Sequence, residues 1–218
     1  MTIDTENLLN SILQSLDRIK FVNSDDIPSI DLYMDQVTTF MEKNLKDSTR
    51  YKGEDKILTK TMINNYAKND LLPPSYKKKY SKEHVLVLIF IYYFKNILSI
   101  SDIQKLLNPL TEKYFENSDG LTIKAIYDEV CTLGDAQIEE LKKSVKEKYL
   151  KSAECFADSK AEDQEELQLF AFICTLIFDV YMKKLLIEKM IDDYTQKHSS
   201  DEEEPDSKKE KKKDTKSK

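Results

Sequence analysis

Apolar residues recur along most of this chain at the three- and four-residue spacing of an α-helix. Residues 31–44 and 83–98 predict two helices, of which the second is apolar nearly throughout and therefore buried. Residues 4–20 predict an amphipathic helix that packs either on the protein's own body or on a partner subunit. Its apolar side is formed by Leu8, Leu9, Ile12, Leu13, Leu16 and Ile19.

The second half of the chain has the same periodicity. Thr122 is a candidate N-cap, Gly134 is predicted to end that helix, and Asp135 is predicted to cap the next one. Earlier, Ser101 is predicted to cap a short helix that ends near Pro109. A last helix over residues 161–197 has a middle that is apolar nearly all round. Such a helix must be covered either by its own bundle, which we favour, or by a second subunit.

Residues 58–107 combine a polar helix, a proline stop, a lysine-rich loop and a buried helix. Thr59 can accept a backbone N–H of the following turn, so a helix is predicted over about residues 60–70. Met62 and Ile63 have inward spacing, and Tyr66 is assigned to the core with an outward position left open. The remaining polar side chains are donors suited to base edges and phosphates: Lys60, Thr61, Asn64, Asn65 and Lys68.

The helix must stop at Pro73 and Pro74, because prolines lack the N–H that a helix needs. Residues 75–80 then form a basic loop, and Ser81 is predicted to cap the buried helix. This is the order of parts in a winged helix-turn-helix, with the loop as the wing. Its phosphate-binding candidates are Lys77, Lys78, Lys79 and Tyr80.

The strings INNYAKNDLLPP and KKKYSKEHVLVLIFIYYF resemble the MerR family of winged-helix regulators. There, a recognition helix ending in Tyr is followed by LLPP, a basic wing and a hydrophobic helix. More closely, LYMDQVTTFM, LTKTMINNY, KKKYSKEH and SISDIQKLL are similar to a bacterial family of unknown function, numbered 1836, over roughly residues 25–110. The MerR resemblance implies a DNA-binding dimer. The chain departs from MerR in having Asn64 and Asn65 where an Arg is usual, and in a longer connector at residues 46–56.

Charge is distributed unevenly along the chain. The whole sequence has a net charge of -6, but residues 50–82 contain nine basic and three acidic residues, a local charge of +6. Arg50 and Lys52 in the connector are further candidates for contact with a DNA backbone. A basic segment on an acidic body suits a local DNA-binding surface, because phosphate contacts supply most nonspecific affinity.

Composition limits the class of protein. Only three glycines and five prolines occur in 218 residues, which predicts an all-α fold. Three cysteines without metal-ligand spacing predict neither a disulfide nor a metal site, and suit a cytoplasmic protein. No signal sequence or membrane span is expected. No triad, phosphate-binding glycine loop or HExxH motif occurs, so we expect no enzyme and no cofactor.

Together these features predict a transcription regulator with four parts: an N-terminal helix (1–24), a MerR-like winged helix-turn-helix domain with a minimal β wing (25–110), a C-terminal helical bundle (111–198) and a disordered charged tail (199–218). Asn64 and Asn65 would read base edges with help from Thr61. Double-stranded DNA is the expected partner, and a homodimer and a small-molecule effector stay open. The alternative is a non-enzymatic helical adaptor that uses a degenerate DNA-binding scaffold for protein interactions.

Overall fold

A computed structural model describes residues 5–17, 20–49 and 57–202. These ranges contain seven α-helices, two short 3-10 turns (Ser24–Asp26 and Lys46–Ser48) and one two-stranded sheet. The elements are α1 Thr5–Leu16, β1 Leu32–Tyr33, α2 Met34–Leu45, α3 Lys60–Lys68, β2 Lys79–Tyr80, α4 Lys82–Phe94, α5 Ile100–Tyr114, α6 Ile123–Ala153 and α7 Ala161–Glu202. Over these ranges, the prediction of an all-α protein is confirmed.

The main hydrophobic core is built around α4. Every residue of this helix from His84 to Tyr92 is buried, as expected of a helix without a polar face. The neighbours that cover it include α5, α6 and β2. The core runs along the chain from Val22 to Tyr127 and includes Ile191 from the far end of α7. The first turns of α6 therefore share one core with the segment that precedes them.

A smaller cluster holds the N-terminal helix. Leu9 of α1, Val145 of α6 and Phe172 of α7 are buried together, and Leu13 packs against them. The amphipathic side of α1 thus packs on the protein's own body, which was one of the two predicted alternatives.

The sheet begins where a helix was predicted. Leu32 and Tyr33 pair antiparallel with Tyr80 and Lys79, so α2 starts only at Met34. The Gln36 side chain accepts the Tyr33 N–H at 2.8 Å and so supports the start of the helix. Helical periodicity in residues 31–33 was overridden because the distant strand Lys79–Tyr80 supplies hydrogen-bond partners.

Gly134 does not end a helix, and Asp135 does not cap one. Both lie inside α6, which is continuous from Ile123 to Ala153 after the predicted cap by Thr122. A Cβ atom at Gly134 would lie only 2.5 Å from Cε2 and 2.7 Å from Cζ of Phe21. The glycine is therefore needed because an aromatic ring approaches the helix backbone.

Other helix boundaries also differ from the prediction. Ser99 instead of Ser101 caps α5, since its Oγ accepts the Asp102 N–H at 3.1 Å. The helix then continues through Pro109 to Tyr114, because Leu107 and Leu110 pack on the main core at either side of the proline. At the other end of the chain, α7 extends to Glu202, and the remainder of the predicted tail, 203–218, lies outside the described residues.

The apolar middle of α7 is only partly covered. Phe172 and Ile191 are buried, but residues 180–187 between them are all exposed. The prediction that the protein's own bundle covers this helix is therefore wrong for the described residues. None of the described helices is long and apolar enough to cross a membrane.

Candidate nucleic-acid interface

Helix α3 presents a polar face to solvent. Its N-cap is Thr59, as predicted, and the Thr59 Oγ1 accepts the Met62 N–H at 3.2 Å. Ile63 and Tyr66 are buried, which places Tyr66 in the core. The five polar residues predicted for the outer face are all exposed: Lys60, Thr61, Asn64, Asn65 and Lys68.

Both ends of α3 are fixed by local and distant contacts. Before the helix, Ile57 and Leu58 are buried, and the Lys95 ammonium donates to the Ile57 carbonyl at 2.7 Å. Burial lowers the pKa of Lys95. After the helix, the Leu71 N–H donates to the Tyr66 carbonyl at 2.9 Å, and Leu71 is fully buried. The polar face is thus carried by a helix that is held at both ends.

The predicted wing is a tight lysine hairpin. The Lys79 N–H donates to the Tyr76 carbonyl at 2.9 Å, and the two residues between them, Lys77 and Lys78, have φ values of 50° and 61°. Two positive φ values are typical of the type I′ turn that joins antiparallel strands. Lys77 and Lys78 are exposed at this turn. The centre of the exposed Tyr76 ring lies 5.0 Å from the Lys77 Nζ.

His84 connects the two ends of this hairpin. Its Nδ1 accepts the Ser81 N–H at 3.0 Å, which leaves the proton on Nε2, 3.4 Å from the Pro74 carbonyl oxygen. The ring is 3% exposed and packs edge-on against Tyr80 and Phe115. Burial lowers the pKa of His84, so the neutral ring is favoured. His84 therefore packs and supports the hairpin and does not reach its surface.

The hairpin and α3 are both attached to the start of α2. The Lys79 Nζ lies 5.3 Å from the centre of the Tyr33 ring, immediately before α2. Two residues later, Asp35 forms an exposed ion pair with Lys60, at the start of α3. The segment 33–35 therefore joins the first turn of α3 to the base of the hairpin.

Positive charge remains concentrated in this region. Residues 57–82 contain six lysines and one acidic residue, Asp70, a net charge of +5. Lys60 is paired with Asp35, and the Lys82 Nζ lies 3.9 Å from a carboxylate oxygen of Asp25. Among the described residues, the other four lysines form no ion pair: Lys68, Lys77, Lys78 and Lys79.

Tyr80 departs from its predicted role. It is 5% exposed and belongs to the main core, so its ring does not form part of the hairpin surface. Arg50, Lys52 and Lys56 in the connector lie outside the described residues. Tyr33, by contrast, was missed because residues 31–44 were predicted to be one helix. It is 55% exposed beside Lys79, and the sequence carries no signal for it, because Leu32, Tyr33 and Met34 do not alternate between apolar and polar and the strand has only two residues.

Two open clefts lie elsewhere on the protein. One, of about 520 Å³, has both polar and apolar walls, which include Asp17, Tyr127 and Asp128. Another, of about 560 Å³, lies between α6 and α7 beside Gly134 and Lys183. The described residues contain no group of three or more His, Cys, Asp or Glu side chains placed to hold a metal ion. Cys131, Cys155 and Cys174 are free thiols.

Comparison with known proteins identifies the family of the chain. A family model described as a domain of unknown function, DUF1836, matches residues 22–130, slightly more than the 25–110 expected from the sequence motifs. This range closely follows the main core, which begins at Val22 and, apart from Ile191, ends at Tyr127. The match does not concern MerR regulators, so that relationship stays a prediction. Neither the curated proteins nor the solved structures contain a match. The chain belongs to the DUF1836 family.

Proposed function

We propose that this protein is a DNA-binding transcription regulator that contacts duplex DNA through α3 and the lysine hairpin. One observation carries the proposal: two surfaces are attached to the same segment, at the start of α2. They are the exposed polar face of α3 and the hairpin, whose lysines form no ion pair in the described part of the chain. A polar helix beside a basic hairpin is the arrangement by which winged helices bind a groove and the adjacent backbone. The order of these parts in the chain also resembles MerR regulators.

The two parts have different roles in this proposal. Asn64 and Asn65 are exposed amides, and asparagine can form two hydrogen bonds with adenine in the major groove. Lys68 and the hairpin lysines contact phosphates, which position a protein without reading sequence. Lys60 also contacts a phosphate when DNA is bound. Its exposed ion pair with Asp35 is weak, so a phosphate can replace the Asp35 carboxylate.

The backbone of the hairpin supports a functional role for its lysines. A positive φ costs a residue with a side chain roughly 1–2 kcal/mol, and glycine or asparagine normally occupies such positions. Here two consecutive lysines hold φ values of 50° and 61°. Strained residues of this kind cluster at functional sites, so their charge at the hairpin tip favours a polyanionic ligand.

The test is duplex binding by fluorescence anisotropy over a series of salt concentrations. The Lys77→Ala/Lys78→Ala variant should bind every duplex more weakly, and its slope of log affinity against log salt should be shallower by about two, since each phosphate contact contributes about 0.9. The matched control is Lys143→Ala/Lys146→Ala, which removes the same charge from exposed positions of α6. The control should bind like the wild type.

Two results would refute the proposal. One is no retention of wild-type protein on random duplex at low salt. The other is an equal loss of affinity in both double variants, because this would mean that only total charge matters. The predicted alternative, a helical adaptor, is favoured by the exposed apolar side chains of α7. The first result, no retention of the wild-type protein on duplex DNA, would support this alternative.

A further inference from the structure

Helix α7 exposes far more apolar surface than a lone soluble protein usually does. Eleven large apolar side chains between Phe170 and Met190 are 37% to 63% exposed. With about 200 Å² for a whole aromatic side chain and somewhat less for an aliphatic one, they expose roughly 1,000 Å². The largest apolar patch on a typical monomer is about 300–600 Å². The surface is therefore suited to contact with another macromolecule.

Five of these side chains, together with one lysine, lie at the spacing of a coiled-coil seam. Starting at Phe170, successive members follow at alternating steps of three and four residues, the spacing of the a and d positions of a heptad. The five apolar residues are at least 37% exposed, and the side chain of the lysine is 46% exposed. The members are Phe170, Ile173, Ile177, Val180, Lys184 and Ile187.

The rest of this sequence has little with which to cover the seam. Outside the described ranges it contains only four large apolar side chains: Met1, Ile3, Ile19 and Tyr51. Residues 203–218 contain none. The apolar side of α1 is already occupied by α6 and α7 through Leu9. These segments supply too little apolar surface to cover the seam, which leaves it open to a partner.

We infer that this partner is a second copy of the chain, and that two α7 helices pair antiparallel along the seam. A heptad seam is self-complementary, since the a positions of one helix fit the d positions of the other when the helices are antiparallel. The seam exposes roughly 500 Å² of apolar side chain, and its flanking side chains bring this near the ~800 Å² that each partner contributes to a standard interface.

Lys184 decides the direction of pairing. In a parallel pair, Lys184 would face Lys184 of the second copy within an apolar seam, and the two like charges would repel, although each Lys184 Nζ also lies 3.6 Å from a Glu188 carboxylate oxygen of its own helix. In an antiparallel pair centred between residues 178 and 179, Lys184 lies level with Ile173 instead. Ile177 is then level with Val180 of the second copy, and Phe170 with Ile187. The inference does not depend on DNA binding.

Sedimentation equilibrium on the full chain tests the pairing. Wild-type protein should have twice the 25.5 kDa chain mass, whereas Ile177→Lys and Val180→Glu should each be monomeric at the same concentration. Both positions are more than half exposed in the single chain, so neither change disturbs its core. The control Ile30→Glu changes an apolar residue of 68% exposure on another surface and should stay dimeric.

Mixing the two variants tests the register. In an antiparallel pair, the lysine introduced by Ile177→Lys in one chain faces the glutamate introduced by Val180→Glu in the other. An equimolar mixture of the two variants should therefore regain the dimer mass. A monomeric wild type, or variants that remain dimeric, would overturn the inference and leave the seam to a different partner. Monomeric variants whose mixture stays monomeric would overturn the antiparallel register.

Discussion

Replacing Gly134 by alanine tests whether this glycine serves to admit the Phe21 ring. In an ordinary helix interior the change would stabilise the protein by about 1 kcal/mol, because alanine is the better helix former. Here the new Cβ would lie 2.5 Å from the ring, so the ring must move by about an ångström to restore normal contact. Phe21 then loses its edge-on contact with Tyr93, whose ring centre is 5.5 Å away.

The two effects oppose each other. Loss of the aromatic contact costs about 0.5–1.5 kcal/mol, and partial exposure of the ring costs about 1 kcal/mol more. We therefore expect Gly134→Ala to lower the unfolding free energy by about 1 kcal/mol, as measured by urea unfolding followed by circular dichroism. In a Phe21→Ala background the same change should raise it by about 1 kcal/mol, which gives a coupling of about 2 kcal/mol. Equal stabilisation in both backgrounds would refute this account of the glycine.

Three further variants test the hairpin, its support by His84 and the outer face of α3. Burial lowers the pKa of His84, so the unfolding free energy should be fully retained above the unfolded pKa of about 6.5 and should fall as the pH drops below it. Urea unfolding between pH 7 and 5 should show a smaller loss of unfolding free energy in His84→Gln than in the wild type. An equal loss in both proteins would contradict the neutral ring. Lys77→Asn with Lys78→Gly should raise the unfolding free energy by about 1 kcal/mol, because these residues accept a positive φ, while weakening duplex affinity; lower stability would show that the turn is not strained. Asn64→Ala should reduce discrimination at one base pair of a selected site by about 1–3 kcal/mol, and a uniform loss across all sequences would argue against base reading.

Local sequence signals determined much of the helical framework. Thr59 and Thr122 cap the helices predicted for them, because a hydroxyl at an N-cap satisfies a backbone N–H whatever the rest of the fold does. The apolar run of α4 could only be buried. The outward face of α3 was also predictable, since its polar residues share one side at helical spacing. These features depend on neighbours within a few residues along the chain.

Other features depended on residues that are distant in the sequence. Leu32 and Tyr33 form a strand because Lys79 and Tyr80 lie beside them, and Tyr80 is buried because its ring packs in the main core. A glycine suits position 134 inside a helix because the Phe21 ring approaches the backbone there.

The sequence by itself determined that α7 is a helix apolar nearly all round and that it must be covered. Which of its sides the protein's own helices cover was decided only by the tertiary structure. The covered side depends on the packing of α6 beside Phe172 and on the contact of Ile191 with the main core. Both contacts join residues that are far apart in the chain. Periodicity reports the surface that a helix must bury, whereas only the packed structure shows which part of that surface remains exposed.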